Sequence, residues 1–122
     1  MEKKIKILIA EDEVIVAQWM KIELEDIGYE VLEYVTTGEK AIDSALENKP
    51  DIILLDVNLI GKIDGIDAAE KITDTLNIPI IFMTGYNESS IFERAQKINP
   101  VAYLEKPVEI YDIKPILDKL FK

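Results

Sequence analysis

Apolar residues along the chain follow two alternating patterns. Ile52-Ile53-Leu54-Leu55 and Ile80-Ile81-Phe82-Met83 run without a polar break, as strands buried on both faces of a sheet do. Ile5 to Ala10 and Val101 to Leu104 read as two further strands, and Glu30 to Val35 alternates polar and apolar, which suits an exposed edge strand. Between these runs the apolar spacing becomes helical. Val16, Met20, Leu24 and Ile27 share one face, with Gly28 placed to cap the helix. Thr37-Gly38-Glu39 opens a second helix with Ala41, Ile42, Ala45 and Leu46 on one side, closed by Asn48-Lys49-Pro50. Asp67 to Leu76 predicts a third, and Asn58 to Gly65 before it reads as a loop with two glycines. Asn87 or Ser89 can cap a fourth that carries Ile91, Phe92, Ala95 and Ile98 and ends at Asn99-Pro100. Pro115 would break a helix begun just after Pro107, so the last helix is expected to start late. Asp112 would be its N-cap, Pro115 would fall in its first turn, and Ile116, Leu117, Leu120 and Phe121 would be buried.

A strand-helix pair repeated five times with short connections predicts parallel strands joined by right-handed crossovers, with both faces of the sheet covered. A closed barrel needs more units than 122 residues hold. The expected fold is therefore a doubly wound α/β sheet of flavodoxin-like order 2-1-3-4-5, in one domain over residues 1–122. Its switch point falls between the first and third strands.

Composition narrows the function. The formal charge is -10, which argues against a direct grip on nucleic acid or on an anionic membrane. There is no Cys, so disulfides, thiol chemistry and zinc-cysteine sites are excluded, and no His, so the chain cannot itself carry a phosphohistidine. The basic-then-apolar start is cut short by Glu11-Asp12-Glu13, too soon for a signal peptide, and a cytoplasmic location is expected.

The chemistry collects at the strand ends. The first strand stops at Glu11-Asp12, the third at Asp56, the fourth at Thr84 and the fifth at Lys106, all on the carboxyl edge where open α/β sheets bind ligands. Glu11, Asp12 and Asp56 converge at the switch point. Mutual repulsion there would raise at least one pKa, and a hard divalent cation, Mg2+ or Mn2+, would relieve it. With the Lys106 ammonium and the Thr84 hydroxyl, the set matches the charge spread over a transferring phosphoryl group, with a carboxylate as nucleophile.

These residues resemble the response-regulator receiver domains of two-component phosphorelay systems, over essentially the whole chain. The motifs are an acidic pair after the first strand (Glu11-Asp12), a phosphoacceptor after the third (Asp56), Ser/Thr after the fourth (Thr84) and Lys-Pro after the fifth (Lys106-Pro107). The resemblance implies that Asp56 takes a phosphoryl group from the phosphohistidine of a sensor histidine kinase or phosphotransfer protein. Asp12 and Asp56 would hold Mg2+ through their side chains, Asn58 through its backbone carbonyl and Glu11 through water. Thr84 and Lys106 would grip the phosphoryl oxygens, and Tyr103 would be the switch aromatic. The implied protein is a signalling domain that promotes only its own phosphorylation and dephosphorylation. It would meet a downstream protein or a second copy through the fourth helix, fifth strand and fifth helix, where Ile91, Phe92 and Tyr111 are candidate contacts. A cis Lys106-Pro107 bond is also implied. Two features depart from the family: no Pro follows Asp56 within Leu59-Ile60-Gly61, and the loop to Asp64-Gly65 is one residue longer than the commonest form.

Three other readings compete. A phosphate-independent pseudo-receiver is disfavoured by the intact polar set. A haloacid-dehalogenase-type phosphatase would need Asp-x-Asp, where this chain has Asp56-Val57-Asn58. A flavodoxin would need a phosphate loop where the chain has acids. Trp19 reads as a packed or half-exposed aromatic.

Overall fold

A computed structural model describes residues 4–85 and 88–122. The strands are β1 (Lys6–Ala10), β2 (Glu30–Val31), β3 (Ile52–Asp56), β4 (Ile80–Thr84) and β5 (Ala102–Glu105). The helices are α1 (Val14–Asp26), α2 (Gly38–Asn48), α3 (Gly65–Thr75), α4 (Ser89–Gln96) and α5 (Ile110–Phe121). All strand pairs are parallel, in the order β2-β1-β3-β4-β5.

The unbroken apolar runs arise because alternate residues of each central strand feed two different cores. Leu8, Ile53, Leu55 and Phe82 pack on one face with Ala41, Ala45, Ile66, Ile72 and Ala95 from α2, α3 and α4. Ile7, Ile9, Ile52, Leu54, Ile81 and Met83 pack on the other with Ala17, Met20, Leu24, Ile113 and Leu117 from α1 and α5. Among the described residues, no helix is long and apolar enough to cross a membrane.

Several element boundaries differ from the sequence reading. The second strand is two residues long, not six. Glu30, Leu32 and Val35 donate in turn to the carbonyls of Ile5, Ile7 and Ile9. Three residues on this strand thus span the step that two span on β1, a bulge that breaks the ladder after Val31. The third helix starts at Gly65, two residues earlier than expected, because Asp64 and Asp67 form a reciprocal capping box. The fourth has Glu88 as N-cap with Ser89 as its first helical residue, and the other cap candidate, Asn87, lies outside the described residues. The fifth strand is shifted by one residue, to Ala102–Glu105.

The last helix starts at Ile110, so Asp112 is its third residue and not its N-cap. The Asp112 carboxylate accepts the Glu109 N–H at 2.9 Å, which secures an earlier start. Pro115 then lies inside the helix. The carbonyl it leaves without a donor is that of Tyr111, a residue 71% exposed, where water can serve. Leu120, expected on the buried side of the last helix, is exposed, as is Leu46 at the margin of the apolar face of α2.

Candidate functional site

The carboxyl edge of the sheet places most of the candidate residues in one cleft. β1 and β3 are paired, with Ala10 opposite Leu55, so the residues just beyond them, Glu11-Asp12 and Asp56, come together. Carboxylate oxygens of Glu11, Asp12 and Asp56 all lie within 4.8 Å of one another. Asp12, Glu13, Asp56, Asn58, Gly85 and Lys106 line a cleft of about 370 Å3 there. β5 delivers Lys106: its backbone N–H donates to the Thr84 carbonyl at 2.7 Å, and the Lys106-Pro107 bond that follows is cis.

The Lys106 ammonium is shared between two buried acids. Nζ lies 2.7 Å from Asp56 Oδ2 and 2.7 Å from Glu11 Oε1. Each acid has a second anchor. Asp56 Oδ1 accepts the Asn58 N–H at 2.9 Å, and Glu11 Oε2 accepts the Glu13 N–H at 3.0 Å. Glu11 is wholly buried and Asp56 is 2% exposed. Burial pushes the Glu11 carboxyl up to about 7 and the Asp56 charge adds to the rise, against the Lys106 ammonium and the Glu13 N–H. Burial would lower the pKa of Lys106, but Asp56 and Glu11 outweigh it and hold the ammonium above its ordinary range.

An all-oxygen cluster with one buried acid already near neutrality suits a hard divalent cation, and the residues present fit Mg2+. Asp12, half-buried, and Asp56 face the cleft, whereas Glu11 is occupied with Lys106 and the Glu13 backbone.

Thr84 and Tyr103, the two residues expected to switch, lie at the end of β4 and on β5. Thr84 is fully buried at the end of β4 and does not line the cleft. Tyr103 lies beside Phe82 in the β4–β5 register, with edge contacts to Phe82 at 6.5 Å and Phe92 at 5.1 Å between ring centroids. Its ring is half-buried, yet its hydroxyl is enclosed and has no hydrogen-bond partner among the described residues. Of the three candidate contacts on the outer face, Ile91 packs into the core, whereas Phe92 and Tyr111 are exposed.

Three features escaped sequence reasoning. Gly65 must be glycine because a Cβ there would overlap the Asp56 carbonyl oxygen. The Arg94 guanidinium forks onto Asp64 Oδ2 at 3.0 Å and Asp67 Oδ1 at 3.1 Å, tying α4 to the start of α3. The third is a groove: Trp19 is half-exposed, within its expected range, but the apolar groove of about 540 Å3 that it lines between α1 and the turn after β5, reaching Glu11 and Lys106, was not foreseen. Only the Asp64-x-x-Asp67 spacing was a local signal, that of a capping box.

The fold and this edge cluster define a receiver. The chain belongs to the response regulator receiver domain family, whose model matches residues 7–118. It is 34% identical over 113 residues to the transcriptional regulatory protein PdtaR of Mycobacterium tuberculosis, covering 93% of this chain and 55% of that protein. It is 28% identical over 116 residues to the sporulation initiation phosphotransferase F of Bacillus subtilis, covering 93% of this chain and 91% of that one. The chain thus spans about half the length of PdtaR and nearly all of the Bacillus protein. Among solved structures, the signal receiver domain of a modulated diguanylate cyclase from Desulfovibrio desulfuricans G20 superposes with a TM-score of 0.89 at 36% identity, covering 96% of this chain and 93% of that one. A CheY-like receiver from Methanospirillum hungatei JF-1, at 24% identity and TM-score 0.89, shares the fold, covering 97% of this chain and 94% of that one. Receivers are signalling domains of two-component systems that interact with histidine kinases and effector domains and typically bind Mg2+.

Proposed function

We propose that the chain acts as one cytoplasmic receiver unit over residues 1–122, accepting a phosphoryl group on Asp56 from the phosphohistidine of a sensor histidine kinase or phosphotransfer protein. The observation that carries this reading is the placement of Asp56. Its carboxylate is nearly buried, opens on a cleft at the switch point, and has an ammonium on one oxygen and a backbone N–H on the other. An Asp56 oxygen attacks phosphorus as the P–N bond to the donor imidazole breaks, and the electron pair leaves with the imidazole, which takes up a proton. Asp12, Asp56 and the Asn58 carbonyl would hold Mg2+, with Glu11 reaching it through water. When bound, Mg2+, or Mn2+ in its place, would neutralise charge on the phosphoryl oxygens. Lys106 supplies a second positive charge from the β5 side, held between Asp56 and Glu11.

The proposed output is a change of face. A phosphoryl group adds roughly two negative charges beside Lys106. Thr84, now buried, would turn toward them, and Tyr103 would repack against Phe82 and Phe92 in the space released. This alters the surface of α4, β5 and α5, where Phe92 and Tyr111 would meet a downstream protein or a second copy of the chain. Phosphate biases an equilibrium that exists without it.

Incubation with acetyl phosphate and Mg2+ should add one phosphoryl group, located on Asp56 by mass spectrometry, and Asp56→Asn should take up none. Modification elsewhere would defeat this reading. A native chain that takes none would instead act as a phosphate-independent protein-binding module.

A further inference from the structure

The loop from Asn58 to Asp64 carries a proposed metal ligand and has no proline of its own to fix its backbone. Its two ends are tied beside Asp56. At one end the Asn58 N–H donates to the Asp56 carboxylate; at the other the Gly65 N–H donates to the Val57 carbonyl at 2.8 Å. The middle is held by α2. Thr37 and Ile60 form a single parallel bridge. Two residues beyond Thr37, Glu39 in the first turn of α2 reaches across, and its Oε1 accepts the N–H of Lys62 at 3.1 Å and of Ile63 at 3.2 Å. Successive N–H groups converging on one charged oxygen form a small anion nest. Gly61 completes it. Its φ of +123° is one that L side chains rarely adopt, and a Cβ there would lie 2.8 Å from Glu39 Oε2, so the carboxylate sits flush against the glycine.

Glu39 does not line the cleft. It is 23 residues from Lys62 in sequence, and the contact forms only in the folded chain. Unpinned, two adjacent amides and a left-handed glycine would free the backbone that leads back to Asn58. We propose that Glu39 is a positioning residue for the metal site. By clamping Lys62 and Ile63 it presets the loop so that Asn58 keeps its place in the cleft with Asp12 and Asp56. This rests on reading the cluster as the Mg2+ site that serves phosphorylation of Asp56.

The test compares the native chain with Glu39→Ala, Glu39→Gln and, as a control on the exposed side of the same helix, Glu47→Ala. Three quantities are read: the Mg2+ dissociation constant by calorimetry, amide exchange at Lys62 and Ile63 without metal, and the acetyl phosphate reaction. Glu39→Ala should speed exchange at both amides and weaken Mg2+ about tenfold, the usual scale for losing a group that supports a metal ligand. Glu39→Gln, which keeps the accepting oxygen, should stay within about threefold of the native affinity by the same scale. Glu47→Ala should change neither. Faster exchange with unchanged Mg2+ affinity would make Glu39 merely structural and overturn the proposal, as would unchanged exchange. A native chain that binds Mg2+ but takes no phosphoryl group would defeat the phosphoacceptor reading alone, leaving the Mg2+ comparison to decide on Glu39. A native chain that binds no Mg2+ would overturn both.

Discussion

Replacing Lys106 by Met removes the ammonium that touches both buried acids and keeps a stem of similar length. At an effective dielectric of about 20, each 2.7 Å contact has a gross attraction of about 6 kcal/mol. Desolvation of the three groups offsets most of it, and breaking a buried pair by removing one partner typically costs about 3–5 kcal/mol. Here the loss is limited, because Glu11 can take up a proton at a cost of about 1.4 kcal/mol for each pH unit above its pKa. That pKa is already about 7 with the ammonium present and would rise without it. Lys106→Met should therefore lose about 3 kcal/mol at pH 8.5 and only about 1 kcal/mol at pH 6.5. The native protein has its own slope. A carboxyl raised from 4.5 to about 7 binds more protons folded than unfolded across that window, so without metal, stability falls as pH rises through it. The assay is urea unfolding at several pH values, with and without Mg2+. Saturating Mg2+ should narrow the gap between variant and native, because a cation then replaces the lost charge. A loss that is equal at pH 6.5 and 8.5 and indifferent to Mg2+ would show that the stem of Lys106 matters and its charge does not.

Three further outcomes follow from the same geometry. Mg2+ at about ten times its dissociation constant should stabilise the native chain by about 1.4 kcal/mol, or roughly 5 °C in Tm, and Asp12→Ala should abolish the shift; a variant that still responds would remove Asp12 from the ligand set. Arg94→Met should cost about 0.5–1 kcal/mol at pH 6, a modest figure because the fork is half-exposed and screened. Burial works to raise the Asp64 carboxyl, but the Asp67 N–H and the Arg94 guanidinium outweigh it and hold the pKa below 3.8. The contribution is thus present above the ordinary carboxylate range and lost as pH falls through the lowered value, so the gap between native and variant should close in acid-unfolding curves, and a gap that persists would refute the fork's role. Thr84→Ala should still accept phosphate, more slowly, yet show a weaker amide-exchange response over residues 88 to 121 with beryllofluoride; a native chain in which only the loops around Asp56 respond would point to a phosphate carrier without an output face.

Features written into short stretches of chain are legible in the residues themselves. Ile52 to Leu55 and Ile80 to Met83 declare buried parallel strands because both faces of each are apolar, and their polar ends at Asp56 and Thr84 follow from the same runs. Strand order placed Glu11, Asp12 and Asp56 together, since four short crossovers leave few ways to wind such a sheet. What the tertiary structure alone decided depends on groups far apart in sequence. Lys106 could have paired with any of three acids; burial and the reach from β5 direct it to Glu11 and Asp56 and leave Asp12 facing the cleft. The second strand alternates as a full strand should, yet a one-residue excess against β1 breaks it. Pro115 argued for a late helix, and a single carboxylate bond from Asp112 to the Glu109 N–H outweighed it. Glu39 stood in the sequence only as part of the Thr37-Gly38-Glu39 helix start, and only the docking of the 58–64 loop on α2 turned its carboxylate into the seat for two amides. A propensity acts over a turn or a strand and so can be read locally, whereas a carboxylate's partner is whichever donor folding buries beside it.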